Sequence, residues 1–188
     1  MAATDDTTPS TVKVRPSGRT LAVLGVIAVV VFALDQLAKR AVLESLSEGE
    51  RVPFLGEFLQ LHLVFNPGAA FSLLSGTTWV FAIIASLVVV VIIVFARRIR
   101  SIAWATVFGL LLGGTTGNLY DRLFRDPGFG VGHVVGFLQL WAFPAIFNLA
   151  DVAICCAAGL FILLSLRGIG FDGSKAAKAE PETTASDS

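Results

Sequence analysis

Three aspartates interrupt the most apolar parts of this 188-residue chain. Asp35 follows "LAVLGVIAVVVFAL", Asp121 closes "GGTTGNLYDR" (residues 113–122), and Asp151 sits inside "PAIFNLADVAICC". Each has a polar companion at helical spacing: Lys39 four residues after Asp35, Asn118 three before Asp121 and four before Arg122, Asn148 three before Asp151. Residues three or four apart share one helix face, so each set can act as a unit. No Ser or Cys nucleophile stands beside a histidine; His62 and His133 are single and unpartnered in sequence. Cys155 and Cys156 are neighbours in an apolar run, which suits neither a staple nor a metal site, and they read as small apolar residues. Carboxylates are therefore the available acid and base. Two of them close together cannot both ionise, so they share a proton and can activate a water between them.

Long uncharged runs must position these groups. Hydrophobic residues make up 55% of the chain, charged residues 15%, and the mean hydropathy is +0.78, a composition that points to a membrane. Four runs have the length of a spanning helix: about 20–41, 73–96, 102–120 and 145–166. The first is not a cleaved leader, since only "DQLAKR" follows it. A net charge of zero gives no support for a nucleic-acid partner. Residues 1–18 and 168–188 read as disordered tails around a membrane domain at 19–167.

Basic residues orient the spans. With the N-terminus inside, Lys13, Arg15, Arg19, Arg97, Arg98, Arg100, Arg167, Lys175 and Lys178 are cytoplasmic, against Lys39, Arg40, Arg51, Arg122 and Arg125 outside. That bias puts both termini in the cytoplasm. At 1.5 Å per residue, Asp35 lies ~24 Å beyond Arg19, Asp121 ~31 Å beyond Arg100 and Asp151 ~24 Å from Arg167. All three carboxylates then meet at one level, near the outer boundary of the bilayer core. Ionisable groups at membrane depth are costly and face a bundle interior or a wet cavity.

Around them, Gly113, Gly114 and Gly117 allow close helix approach. "FLQLHLVFN" alternates like a half-buried strand and runs into the turn signal Asn66-Pro67-Gly68. The aromatic stretch with Phe129, Phe137, Trp141 and Phe143 suits a segment lying at the interface. The expected architecture is an all-α membrane protein with four transmembrane helices, a small extracytoplasmic β-element and an interfacial segment. A polar pocket sits at its outer end. At a membrane surface, paired carboxylates there describe aspartic-type cleavage of a bilayer-embedded peptide.

Four blocks in order, "DQLAK" at 35–39, "NPGAAFS" at 66–72, "GGTTGNLYDR" at 113–122 and "FNLAD" at 147–151, resemble the bacterial lipoprotein signal peptidase (signal peptidase II) family. The resemblance covers about residues 20–167. It implies an aspartic endopeptidase of the bacterial inner membrane that removes signal peptides from diacylglyceryl-modified prolipoproteins without metal or cofactor. It further implies membrane lipids as surroundings and a site at the extracytoplasmic face. Pocket residues carried over are Asp35, Lys39, Asn66, Gly114, Asn118, Arg122, Asn148 and Ala150, and Asp151 matches one of two catalytic aspartates. The other belongs to a "VVDF" motif, but this chain reads "HVVGF", with Gly136 in that place. The expectation is impaired catalysis, with Asp121 as the available substitute carboxylate. Two alternatives stand beside it: a catalytically inactive relative that binds prolipoproteins, and a small four-span transporter relaying protons. The inner halves of the spans lack the mid-depth polar residues a transporter needs.

Overall fold

A computed structural model describes residues 18–68 and 77–174. In chain order the elements are α1 (Gly18–Ser45), β1 (Arg51–Leu55), β2 (Leu59–Asn66), α2 (Thr78–Ala96), α3 (Ile102–Phe124), β3 (Val134–Leu140), β4 (Ile146–Phe147) and α4 (Leu149–Leu166). All four helices are long and apolar enough to cross a membrane. Their outward residues are those a lipid phase tolerates: Val29 is 66% exposed, Leu37 64% and Val94 68%. In hydrocarbon only helices or closed barrels satisfy every backbone group internally, which is why these runs are helical despite their valine and isoleucine content.

α3 is the central helix, packed against α1, α2 and α4. Glycine makes that possible. A Cβ on Gly113 would lie 2.6 Å from the Ala28 carbonyl of α1, and one on Gly114 would lie 2.5 Å from the Ala150 carbonyl of α4. Two cores hold the ends of the bundle. At one end Leu24, Ile99, Trp104, Val107, Ala157 and Leu164 are buried together. At the other, Val42 of α1 packs with Leu63, Val135 and Phe137 of the sheet. The strands are antiparallel in the order β1-β2-β3-β4, with Val64 opposite Gly136 and Asn66 opposite Val134.

Several boundaries differ from the sequence expectation. α1 extends through Ser45 and α3 through Phe124, so Asp121, expected just past its span, stands inside α3. Residues 73–76, expected in the second span, lie outside the described residues, as do residues 69–72 of the second motif block. The fourth helix starts at Leu149 rather than 145, because Ile146 and Phe147 pair with Gln139 and Leu138 instead. The expected interfacial segment contains β3, whose backbone groups find partners in β2 and β4. Residues 168–174 are also ordered: Phe171 stacks on Trp104 with ring centroids 4.5 Å apart, and its carbonyl accepts from the Arg100 and Ser101 N–H groups. The remaining tail residues, 1–17 and 175–188, lie outside the described residues.

Candidate functional site

Asp151 is set by the start of α4. Asn148 is the N-cap, its side chain accepting from the Asp151 N–H at 2.9 Å, while Asp151 Oδ2 accepts from the Asn148 N–H at 3.1 Å. This reciprocal capping box satisfies two orphan helix donors and fixes the carboxylate's direction. Asn118 of α3 donates its Nδ2 to Asp151 Oδ1 at 2.8 Å. Both carboxylate oxygens therefore accept hydrogen bonds.

Asn118 also joins two networks. Its Oδ1 accepts from Lys39 Nζ at 3.2 Å and from Asn148 Nδ2 at 3.1 Å. Asn148 Nδ2 reaches the Val135 carbonyl of β3, also at 3.1 Å. Behind this wall, Lys39 lies 2.7 Å from Asp35 Oδ2 and 2.7 Å from Asp121 Oδ2, all three side chains wholly buried. Asp35 Oδ1 accepts the Ala150 N–H at 2.9 Å, another N-terminal donor of α4. Asp121 Oδ1 takes Arg125 Nε at 2.7 Å, and its Oδ2 takes the Val135 N–H at 3.2 Å.

A cavity of about 720 Å³ opens in front of Asp151, with Asn66, Asn118, Arg122 and Gly136 in its wall beside the apolar Val64, Phe65, Ile146 and Val152. Asn66 Oδ1 is turned back onto the Gly68 N–H at 2.9 Å, holding the turn at the cavity rim. Arg122 lies over the Phe81 ring at 5.7 Å and donates Nη1 to the Asn118 carbonyl at 3.3 Å, but its buried Nε has no hydrogen-bond partner among the described residues.

The residues singled out from sequence thus fall into two groups. Asn66, Asn118, Arg122 and Asp151 line the cavity. Asp35, Lys39, Gly114, Asn148 and Ala150 stand behind it, holding α1, α3 and α4 together. Asp121, expected as a substitute catalytic carboxylate, is not in the cavity wall; its oxygens are held by Lys39, Arg125 and the Val135 N–H. Two participants escaped the sequence reading: Arg125, and Gln36, which donates to Asp35 Oδ2 at 3.1 Å and accepts from Arg125. Arg125 was legible as a cation four residues from Asp121, and Gln36 stands inside the "DQLAK" block, next to Asp35. Cys155 and Cys156 also reach the cavity wall, one turn beyond Asp151.

Comparison with known proteins is consistent throughout. The model of a family described as signal peptidase II matches residues 27–167. A lipoprotein signal peptidase of Leifsonia xyli is 59% identical over 155 residues, covering 82% of this chain and 72% of the relative. One from Rhodococcus jostii is 44% identical over 152 residues, covering 81% and 76%. A solved structure described as a bacterial membrane enzyme, determined by the in meso method at 2.3 Å, superposes with a TM-score of 0.70 at 26% identity. It covers 87% of this chain and 98% of its own.

Proposed function

The chain belongs to the signal peptidase II family of aspartic proteases, and on that premise we propose that it acts on diacylglyceryl-modified prolipoproteins at the outer face of the bacterial inner membrane. Family membership sets aside the transporter alternative. The observation that carries the reading is Asp151, held by Asn118 and the Asn148 N–H at the wall of a large cavity. In this role Asp151 is the base. It takes a proton from water as the oxygen attacks the scissile carbonyl, then returns it to the departing amine. Arg122 and Asn118 orient the substrate backbone. Asn66 closes the rim. Asp35, Lys39, Gly114, Asn148 and Ala150 act from behind, by holding the helices that carry these groups.

Among the described residues the cavity wall holds one carboxyl, that of Asp151. Gly136 occupies the cavity wall where the family resemblance expects the aspartate that polarises the carbonyl. Asp121 is committed to Lys39 and Arg125, so its recruitment would break two ion pairs. Cleavage is therefore slow. A second reading, a relative that binds prolipoproteins without cutting them, is favoured by that same glycine. Both termini are cytoplasmic in this proposal, as the excess of lysine and arginine on that side supports.

Incubating purified protein with a diacylglyceryl-modified prolipoprotein tests the proposal. Slow release of the signal peptide, lost in Asp151→Asn, is expected. Undiminished release by Asp151→Asn would remove Asp151 from the mechanism. Binding without any release would favour the second reading.

A further inference from the structure

Gly136 is buried in β3, and its backbone is not in the left-handed region. A Cβ placed on it would have its nearest contacts on Ile146: 3.3 Å to Cγ2 and 3.5 Å to the carbonyl oxygen. Both Gly136 and Ile146 line the cavity that Asp151 faces, so the direction a side chain would take lies along the cavity wall. The site is also tied to Asp151. The carbonyl of Val135, in the peptide bond to Gly136, accepts from Asn148 Nδ2, and Asn148 caps the helix turn that presents Asp151. Arg122 lines the same cavity and brings a guanidinium to its wall.

The geometry points to a binding site for a small monocarboxylic acid against Gly136, whose carboxyl supplies the missing member of the pair. This inference rests on the two-carboxylate reading above. The guest matches what glycine lacks: acetic acid is the aspartate side chain with one added hydrogen. A free guest cannot approach Cα at bonding distance, however. Its nearest carbon stops at about 3.5–4.0 Å. Formic acid, one carbon shorter, compensates for that offset and carries no methyl group to press on Ile146. Formate is therefore the best guest, acetate weaker, and longer acids progressively excluded.

Atoms balance with the guest in place. The protonated guest donates its proton to the scissile carbonyl oxygen while Asp151 takes one from the attacking water, whose oxygen bonds to the carbonyl carbon. On collapse the C–N bond breaks and the amine leaves with the proton from Asp151. A hydroxyl of the tetrahedral carbon returns its proton to the guest. Both acids end as they began, with one water and one peptide bond consumed.

The experiment measures prolipoprotein cleavage by the full chain with formate, acetate, propionate or chloride added at constant pH and ionic strength, in parallel with Gly136→Asp. General acid terms contribute ~10²–10⁴-fold, so a saturable increase of about tenfold or more with formate is expected, ordered formate, acetate, propionate. Gly136→Asp should cut at least about a hundredfold faster without acid and respond to none. If Gly136→Asp gains the rate but no acid helps the unmodified chain, the guest site is overturned and the two-carboxylate reading stands. If Gly136→Asp gains nothing, or the unmodified chain already matches it, that reading fails and the guest proposal falls with it.

Discussion

Replacing Lys39 by methionine should unfold this protein more readily than any exposed charge deletion. Lys39 is wholly buried, 2.7 Å from each of two wholly buried carboxylates. With Arg125 as the second cation, 23% exposed, the four groups sum to zero charge. Methionine keeps most of the volume but leaves Asp35 and Asp121 sharing one cation on the far side of Asp121. Removing one partner of a buried ion pair costs about 3–5 kcal/mol, because the survivor remains desolvated and unpaired. For a chain of this size that lowers the unfolding midpoint by roughly 6–20 °C. The assay is thermal unfolding in detergent micelles followed through tryptophan fluorescence, since Trp104 is only 2% exposed and packed against Phe161 and Phe171. Two comparisons isolate the cause. Arg40 and Glu44 form a 2.8 Å pair at the same four-residue spacing but stand 77% and 63% exposed, so Glu44→Gln should leave the midpoint unchanged. Adding Asp35→Asn to Lys39→Met should recover part of the loss, because removing both partners costs less than removing one. A Lys39→Met midpoint equal to the parent's, in an inserted and folded protein, would refute the buried-network account.

Three further outcomes follow from the geometry. Gly114→Ala forces a Cβ within 2.5 Å of the Ala150 carbonyl, so α3 and α4 must separate, costing about 1–3 kcal/mol in the same unfolding assay; Gly159→Ala, with nothing within 4 Å, should cost nothing. Asn148→Ala removes the cap of α4 and should lower stability by about 0.5–2 kcal/mol, with a larger fractional loss of cleavage, read from product formation, because Asp151 loses its support. In a Cys155→Ala/Cys156→Ala background, cysteines placed at Ser47 and Ser174 should react with an impermeant maleimide from opposite faces of the membrane, Ser47 from outside; reaction of both from one face would reject the four-span topology.

The sequence by itself determined that four apolar runs form long helices and how far along three of them the aspartates stand, because both depend on quantities that run along the chain. An uncharged run long enough to cross a bilayer has to bury its backbone polarity in a helix. A fixed rise per residue then sets how far along its helix each of Asp35, Asp121 and Asp151 stands, and the structure does bring Asp35 and Asp121 to one lysine and Asp151 to the adjacent Asn118. Which groups pair was decided by packing, since the rotation of each helix about its axis is set by its neighbours. Asn118 and Asp121 differ by about 60° around α3; both reach Lys39 of α1, but that rotation lets Asn118 also reach Asp151 of α4 while Asp121 turns to Arg125 and the Val135 N–H. Local spacing favoured Asn118 with Asp121, and it cannot distinguish the buried Asp35–Lys39 pair from the exposed Arg40–Glu44 pair one residue further on. The aromatic segment before α4 was likewise ambiguous until β2 offered it an edge: interface and strand share the same composition, and only the hydrogen bonds from Leu59–Asn66 select the strand. That pairing is also what sets Gly136 in the cavity wall, a position to which the chain alone assigns a residue type but no surroundings.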